Sequence, residues 1–245
     1  MIRLIFTGLF LLIFFILSLI MLPIEWLIGK FSPKARERSS YAIVQTAFKI
    51  ILFICGTKVN CKGFENIPKD TAVLYVGNHR SFFDIVISYS MVPPLTGYIA
   101  KEEIKKVPIL ASWMKLMNCL FLNRTNPKEG IKTILSAIDM INSGKSVFIF
   151  PEGTRAKSDD DLKDFKEGSF KIAQKTGCPI IPVAFNNTSA IFEDHFPLLK
   201  KSYVSIEFGK PIYPDSLSGD DKKFIGRYTH QIIEKMIQNN KFQDN

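Results

Sequence analysis

The N-terminal part of the chain is its most apolar region. From Leu4 to Leu22 no residue is charged, and only Thr7, Gly8 and Ser18 are small or polar. These 19 residues approach the roughly 20 that a helix needs to cross a bilayer. The run is longer than the apolar core of a secretory signal, about 7–15 residues, and no small-x-small cleavage pattern follows it. The pattern therefore predicts a membrane-associated helix.

A second apolar stretch runs from Tyr41 to Cys55 and is interrupted by Gln45 and Lys49. It is short and polar for a membrane span, so it predicts an amphipathic helix. The pattern is equally compatible with a helix at the membrane interface and with one packed on a soluble domain. Hydropathy does not decide whether residues 1–56 cross the bilayer or enter one leaflet.

The charges that flank the first apolar run indicate its orientation. One basic residue, Arg3, precedes the run. Four basic residues follow it: Lys30, Lys34, Arg36 and Arg38. Because basic residues concentrate on the cytoplasmic side of membrane segments, we expect the C-terminal part to be cytoplasmic.

Beyond residue 56, short apolar runs typical of buried strands alternate with helical patterns. Strands are predicted at 71–77, 98–100, 119–122, 146–150, 178–185 and 203–208. Helices are predicted at 82–91, 101–117, from Asn126 toward Gly144, at 168–176 and at 220–240. The alternation predicts an α/β fold with a mostly parallel sheet covered by helices. We therefore divide the chain into N-terminal membrane-anchoring helices, 1–56, and an α/β domain, 57–245.

Two prolines are expected to interrupt or displace two of these elements. Pro108 is expected to kink the helix at 101–117 or to end a turn within it. Pro182 interrupts an apolar strand, which favours an edge or bulge position, because proline cannot donate to a sheet ladder.

Composition narrows the possible partners. The 245 residues carry a formal net charge of +9, which favours anionic partners such as acidic membranes, phosphorylated substrates or nucleic acid. No RNA-binding pattern of basic and aromatic residues is present, so we do not expect a nucleic-acid partner. The four cysteines lack zinc-site or disulfide spacing, and the acidic run Asp159–Asp161 is interpreted as a solvated loop. We predict no metal site.

The first candidate for chemistry follows the strand predicted at 71–77. Gly77 and Asn78 allow a tight turn there, and His79 comes next, with Asp84 five positions later. In open α/β sheets, ligands bind beyond the carboxyl ends of strands. A histidine in this position can act as a general base, and a carboxylate can fix its tautomer.

A purely structural interpretation of these residues stays open. The pattern Ser81-x-x-Asp84 is typical of a helix-capping box, in which Asp84 would satisfy backbone amides. His79 would then be an ordinary turn residue.

A second candidate is the segment Phe150-Pro151-Glu152-Gly153-Thr154-Arg155, after the strand predicted at 146–150. Gly153 lets the backbone approach a ligand closely, and the planar fork of Arg155 matches a phosphate. The structural alternative is a type I or II turn with solvated charges. A third strand end carries Asn123 and Arg124, which could equally be surface residues.

Together these segments resemble the four motifs of the glycerolipid acyltransferase family, most of all the bacterial 1-acyl-sn-glycerol-3-phosphate acyltransferases. The first, N-H-x-x-x-x-D, and the third, F-P-E-G-T-R, are specific and are matched without departure. The matching segments are Asn78 to Asp84, Phe121 to Arg124, Phe150 to Arg155 and Ile181 to Val183. The resemblance extends from about Lys58 to Phe208.

The resemblance implies acyl transfer from a thioester, coenzyme A or acyl carrier protein, to the sn-2 hydroxyl of lysophosphatidate, giving phosphatidate. His79 would be the general base and Asp84 its orienting partner. Arg124 and Arg155 would hold the acceptor phosphate, assisted by Lys101. Further substrate-binding residues would be Glu152, Gly153 and Thr154. No cofactor beyond the thioester is implied, and the site would face membrane lipid at the cytoplasmic side of the inner membrane.

Two alternatives remain open at this point. The same constellation could serve another acceptor, such as glycerol 3-phosphate, lyso-ornithine lipid or another lysophospholipid. The chain could also be a non-catalytic membrane-binding protein that retains the fold. The sequence does not indicate the acyl donor, the preferred chain length or the oligomeric state.

Overall fold

A computed structural model describes residues 1–156 and 162–240 of the chain. The helices are α1 (Ile2–Phe31), α2 (Pro33–Cys55), α3 (Phe82–Met91), α4 (Pro108–Leu116), α5 (Pro127–Asn142), α6 (Lys171–Thr176), α7 (Gly219–Lys223) and α8 (Ile225–Asn239). The strands are β1 (Lys58–Lys62), β2 (Leu74–Gly77), β3 (Thr96–Lys101), β4 (Leu120–Leu122), β5 (Ser146–Ile149), β6 (Ile180–Asn186) and β7 (Tyr203–Phe208).

The strands form one sheet in the order β1-β7-β6-β2-β5-β3-β4. Among these strands every neighbouring pair is parallel except β6 and β7, which run antiparallel. The predicted α/β fold with a mostly parallel sheet is therefore confirmed. Strand β1 was not predicted, because it lies at the sheet edge with mostly exposed residues and has no apolar run.

Helices cover both faces of the sheet and enclose two cores. Alternate residues of one strand point to opposite faces, so Tyr75 contributes to one core and Leu74 to the other. Residues from α2, α3 and α4 complete the first core, including Val44, Ile87 and Trp113. Helices α5, α6 and α8 complete the second. The proposed boundary near residue 56 remains a prediction, although α2 shares a core with the sheet.

Three predicted helices were wrong in detail. The one expected at 168–176 is α-helical only from Lys171, after the 3-10 helix Glu167–Phe170. The helix expected at 101–117 begins at Pro108, and Glu102–Lys106 form a 3-10 helix. Proline fits the first turn of a helix, where its missing N–H would have had no partner. The C-terminal helix is divided into α7 and α8 at Phe224.

Of the edge or bulge position predicted for Pro182, the edge was wrong, because β6 lies between β2 and β7. The Pro182 carbonyl accepts a hydrogen bond from the Gly209 amide, so the nitrogen of Pro182 faces the same side. Pairing with β7 begins only at Val183, opposite Phe208. On the other side of Pro182 an isolated antiparallel bridge joins Ile180 to Ile212, so the absent N–H falls where the pairing is interrupted and proline is tolerated.

Helix α1 packs against α2 and α4 along one stripe of polar residues. Thr7, Ser18 and Glu25 are buried, and their spacing of 11 and 7 residues puts them on one helix face. Thr7 Oγ1 lies 3.8 Å from Cys55 Sγ, and Trp113 Nε1 donates to Ser18 Oγ at 2.9 Å. Glu25 Oε2 accepts from the hydroxyls of Ser39 and Ser40, at 2.7 and 3.1 Å. The opposite face of α1 exposes apolar side chains. Both α1 and α2 are long and apolar enough to cross a membrane.

Candidate active site

The predicted site residues lie at one edge of the sheet, where the parallel strands β6, β2, β5, β3 and β4 end in that order. His79 follows β2 and Glu152 follows β5, its neighbour. Lys101 ends β3, and Arg124 follows β4. Strands lie about 4.8 Å apart, so Lys101 and Arg124 are roughly 10 and 14 Å along the edge from His79.

His79 and Asp84 form a directly bonded pair. The distance from His79 Nδ1 to Asp84 Oδ2 is 2.9 Å, and the Asp84 side chain is fully buried. With the Nδ1 proton donated to the carboxylate, Nε2 is the nitrogen that can accept a proton. Within the described residues Nε2 makes no hydrogen bond, and the side chain is 17% exposed. The imidazole is thus oriented from one side and accessible from the other.

Asp84 also caps helix α3, so the capping contact and the contact with His79 are both present. Its Oδ2 accepts from the backbone amides of Arg80 and Ser81, each at 2.7 Å. The Ser81 side chain in turn accepts from the Phe83 amide, which completes the capping box. The cap fixes the carboxylate that orients His79. One side chain therefore caps the helix and contacts His79.

Thr188 completes the environment of Asp84. Its hydroxyl donates to Asp84 Oδ1 at 2.5 Å, and it lies just after β6. Sequence reasoning missed this residue, because it is 104 positions away from Asp84 and belongs to no recognised motif. A bonded chain therefore runs from Thr188 through Asp84 to His79.

Two neighbouring contacts hold the turn that carries His79. The Asn78 side chain donates to the Phe185 carbonyl at 3.0 Å and accepts from the Phe185 amide at 2.8 Å. The His79 ring stacks on Phe150, with centroids 4.3 Å apart and planes inclined by 24°. Gly77 lets the end of β2 pack closely against the Phe185 ring, since a Cβ there would lie 3.0 Å from that ring.

The Phe150–Gly153 segment forms a turn closed by a hydrogen bond from the Gly153 amide to the Phe150 carbonyl, 3.1 Å. Gly153 has φ of +77°, a conformation that favours glycine. Glu152 is not solvated, because its side chain is buried and Oε1 accepts from the His79 amide at 2.7 Å. Burial raises the pKa of the Glu152 carboxyl to about 7, and the hydrogen bond from the His79 amide offsets part of that rise.

Arg155 is held in place by two contacts. Its Nη1 donates to Glu193 Oε1 at 2.9 Å, and its guanidinium lies 3.8 Å from the centroid of the Phe82 ring. Glu193 also accepts from the Ser81 hydroxyl and the Phe82 amide, at 2.7 and 2.8 Å. Glu193 was not predicted, since no sequence motif contains it. It links Arg155 to the first turn of α3, directly beside the His79–Asp84 pair.

The remaining predicted binding residues have exposed side chains. Lys101 and Arg124 are both exposed on the β3–β4 side of the sheet edge. Thr154 is exposed too, and its hydroxyl accepts from Lys163 Nζ at 2.9 Å. The acidic run 159–161 lies outside the described residues. Within the described residues no group of three or more His, Cys, Asp or Glu side chains could hold a metal.

Comparison with known proteins adds independent information. The acyltransferase family model matches residues 58–186, which include every predicted site residue. A 1-acyl-sn-glycerol-3-phosphate acyltransferase of Saccharomyces cerevisiae is 28% identical over 86% of this chain and 67% of its own length. The Borreliella burgdorferi protein of the same name is 35% identical over 63% of this chain and 62% of its own length. This chain therefore matches less than two thirds of the length of the Borreliella burgdorferi protein.

Two further similarities extend over most of the chain. A probable 1-acyl-sn-glycerol-3-phosphate acyltransferase of Mycoplasma pneumoniae is 31% identical over 84% of this chain and 79% of its own length. The crystal structure of the lysophosphatidate acyltransferase PlsC from Thermotoga maritima superposes with a TM-score of 0.80, at 23% identity, over 99% of both chains. At this identity the superposition shows a shared fold, including the two N-terminal helices.

Proposed function

The chain belongs to the acyltransferase family, and on that premise we propose that it transfers an acyl chain from an acyl thioester to the sn-2 hydroxyl of lysophosphatidate, giving phosphatidate. The observation that carries the proposal is the His79–Asp84 pair, bonded at 2.9 Å with Nε2 accessible. Relatives named for this reaction support the choice of acceptor.

In the proposed reaction His79 Nε2 takes the proton of the acceptor hydroxyl as that oxygen attacks the thioester carbonyl. A carbon–oxygen bond forms, and the tetrahedral intermediate collapses with loss of the carbon–sulfur bond. The imidazolium returns its proton to the departing thiolate, so the products are the ester and a free thiol. Asp84 stabilises the imidazolium and keeps Nδ1 protonated. No acyl-enzyme and no cofactor other than the thioester are required.

The proposed phosphate site lies beside this pair. Arg155 keeps part of its guanidinium available, because the Glu193 contact uses one of its two terminal nitrogens. A planar guanidinium matches a phosphate through paired hydrogen bonds. Lys101 and Arg124 would add positive charge from the adjoining side of the edge, and Gly153 and Thr154 would line the acceptor site. Backbone amides of the two motif turns would stabilise the oxyanion.

We further propose that α1 lies in one leaflet of the cytoplasmic side of the membrane. The contacts of Thr7 and Glu25 attach α1 to α2, and that of Ser18 attaches it to Trp113 of α4, over 18 residues or about 27 Å of helix. Because α2 shares a core with the sheet, a helix held along that length by α2 and α4 stays with the domain and does not cross the bilayer. Its opposite face carries exposed apolar residues such as Phe6, Ile13 and Ile20, which suit insertion among acyl chains. The site would then receive its acceptor from the same leaflet.

The test is thiol release by purified protein from acyl-coenzyme A or an acyl carrier protein thioester, with and without lysophosphatidate. We expect acceptor-dependent release that falls by roughly a thousandfold in His79→Ala, the range expected for loss of a general base. His195→Ala, at an exposed histidine, is the matched control and should behave as wild type.

Three outcomes would contradict parts of this proposal. Release without acceptor would indicate a thioesterase, and a near-native rate in folded His79→Ala would exclude His79 as the base. Release that depends on glycerol 3-phosphate or another lysolipid, but not on lysophosphatidate, would mean that the acceptor is that compound and not lysophosphatidate. Absence of release with both donors and every acceptor would favour the non-catalytic membrane-binding alternative.

A further inference from the structure

Glu152 contacts the catalytic turn from inside the protein. Its side chain is 5% exposed, and Oε1 accepts from the His79 amide at 2.7 Å. The bond joins the ends of two neighbouring strands, since His79 follows β2 and Glu152 follows β5. On the same side, the Ala156 amide donates to the His79 carbonyl at 2.7 Å. Both backbone polar groups of His79 are therefore held by the 152–156 segment.

The second oxygen of Glu152 has a different environment. Oε2 is fully buried and makes no hydrogen bond with any described residue. Glu152 lines a cavity of about 10 Å³, which is room for about one water molecule. Asn78 and Arg80 line the same cavity, and its other walls are apolar: Ala156, Leu162, Phe185 and Ile237. A buried carboxyl beside a small polar cavity commonly completes its hydrogen bonds with internal water.

We propose that Glu152 is a positioning residue, which holds His79 through the 2.7 Å amide bond and binds one internal water molecule through Oε2. This inference rests on the proposed acyl transfer and assigns Glu152 a role apart from the acceptor. A carboxyl with this burial and this backbone partner does not present an oxygen to a substrate hydroxyl. The raised pKa of Glu152 agrees with a neutral carboxyl below pH about 7, in which the O–H donates to the water.

Substitution separates positioning from substrate contact. Gln keeps an acceptor for the His79 amide and a donor for the water, so Glu152→Gln should retain kcat and KM within about threefold. Glu152→Ala frees the catalytic turn, and kcat should fall roughly tenfold to a hundredfold, as expected when a base shifts by about an ångström. KM for lysophosphatidate should stay within about threefold, because no acceptor contact is lost.

Glu167→Ala is a matched control. Glu167 also uses its carboxylate on two backbone amides, those of Gly226 and Arg227, each at 3.0 Å, at the start of α8. Loss of that contact should leave kcat unchanged. If Glu152→Ala does not fold, Glu152→Met replaces it, since Met fills similar volume without a carboxyl oxygen.

Amide hydrogen exchange at His79 tests the inference without any turnover. Exchange at His79 should accelerate in Glu152→Ala and stay near wild type in Glu152→Gln and Glu167→Ala. If wild type does not acylate lysophosphatidate but this contrast appears, the proposed function fails and the contact stands.

The inference is overturned by a tenfold higher KM for lysophosphatidate with unchanged kcat in Glu152→Gln, which would indicate substrate contact. It is also overturned by wild-type kcat in Glu152→Ala, or by unchanged exchange at His79. A high-resolution crystal structure should place a water within about 3 Å of Oε2. A well-ordered crystal structure with no water in this cavity would refute the proposed water site.

Discussion

The two halves of the candidate site differ in how they are built. On the β2–β5 side, Asp84 and Glu152 are buried, and each bonds to the turn that carries His79. On the β3–β4 side, Lys101 and Arg124 are exposed at the surface. One half is a network of short bonds within the fold, and the other is a pair of long cationic side chains in solvent.

This contrast corresponds to two different physical tasks. Proton transfer needs a base fixed to within a fraction of an ångström, which buried hydrogen bonds provide. Attraction of a phosphate needs positive charge near the site, and charge acts over several ångströms without exact geometry. We therefore expect substitutions on the first side to lower kcat and those on the second to raise KM. Arg155 combines both features, since it is paired with Glu193 and its side chain is partly exposed.

Asp84→Asn should give the largest effect in this comparison. The amide oxygen can take the place of Oδ2 and accept from His79 Nδ1 and from the amides of Arg80 and Ser81. The fold and tautomer are then retained, while the negative charge that stabilises the imidazolium is lost. We expect kcat to fall roughly a hundredfold or more with little change in KM. Steady-state kinetics on folded protein measure both constants.

Asp139→Asn controls for the chemical change itself, because Asp139 is exposed on α5. It should match wild type. A kcat within threefold of wild type in Asp84→Asn would mean that Asp84 only caps α3, and the two halves would then differ less than the geometry implies.

The predictability of the site follows the same division. The buried half could be found because His79, Asp84 and Glu152 lie in short segments that directly follow apolar strands. The capping box and the catalytic pair could not be told apart by sequence, and the structure shows that Asp84 makes both contacts. Each interpretation identified a true interaction, since one carboxylate has several lone pairs to share.

The contacts that sequence reasoning missed are long-range. Thr188 reaches Asp84 across 104 positions, and Glu193 reaches Arg155 across 38. Such contacts depend on strand order, which places β6 beside β2 and which no local pattern encodes. The same reasoning applies to Pro182, whose tolerance in an interior strand depends on where β7 ends.

The second prediction concerns the pH dependence of stability on the buried side. Folding raises the pKa of Glu152 from an ordinary 4.5 to about 7, so the folded state holds a proton that the unfolded state releases between these values. The stability linked to that proton is full below pH 4.5 and is lost as pH rises through about 7. Glu152→Gln does not titrate. Its advantage over wild type should therefore grow from pH 5 to pH 8, up to about 3 kcal/mol.

Denaturant unfolding of both proteins at several pH values measures this difference, and other titrating groups cancel between them. Glu234→Gln, at an exposed position on α8, should follow wild type at each pH. A constant difference between Glu152→Gln and wild type across this range would mean that Glu152 is ionised throughout, and the buried half would then contain a charge rather than a neutral carboxyl.

Substitutions on the exposed side should have the smallest effect, and they should change KM and not kcat. Lys101→Ala combined with Arg124→Ala should raise KM for lysophosphatidate about tenfold, about 1.4 kcal/mol, with kcat unchanged. Salt should reduce the difference between variant and wild type, because exposed charges are screened within about 10 Å at 0.1 M. Kinetics at low and high salt, with lysophosphatidate and with a monoacylglycerol that lacks the phosphate, measure these effects.

Lys175→Ala is the control for removal of an exposed cation, since Lys175 lies before β6, at the opposite edge of the sheet. An equal rise in KM for the unphosphorylated acceptor would show that Lys101 and Arg124 do not act on the phosphate. A fall in kcat instead of a rise in KM would show that the exposed side also fixes geometry. The division between a rigid catalytic half and a diffuse binding half would then have to be replaced by one continuous site.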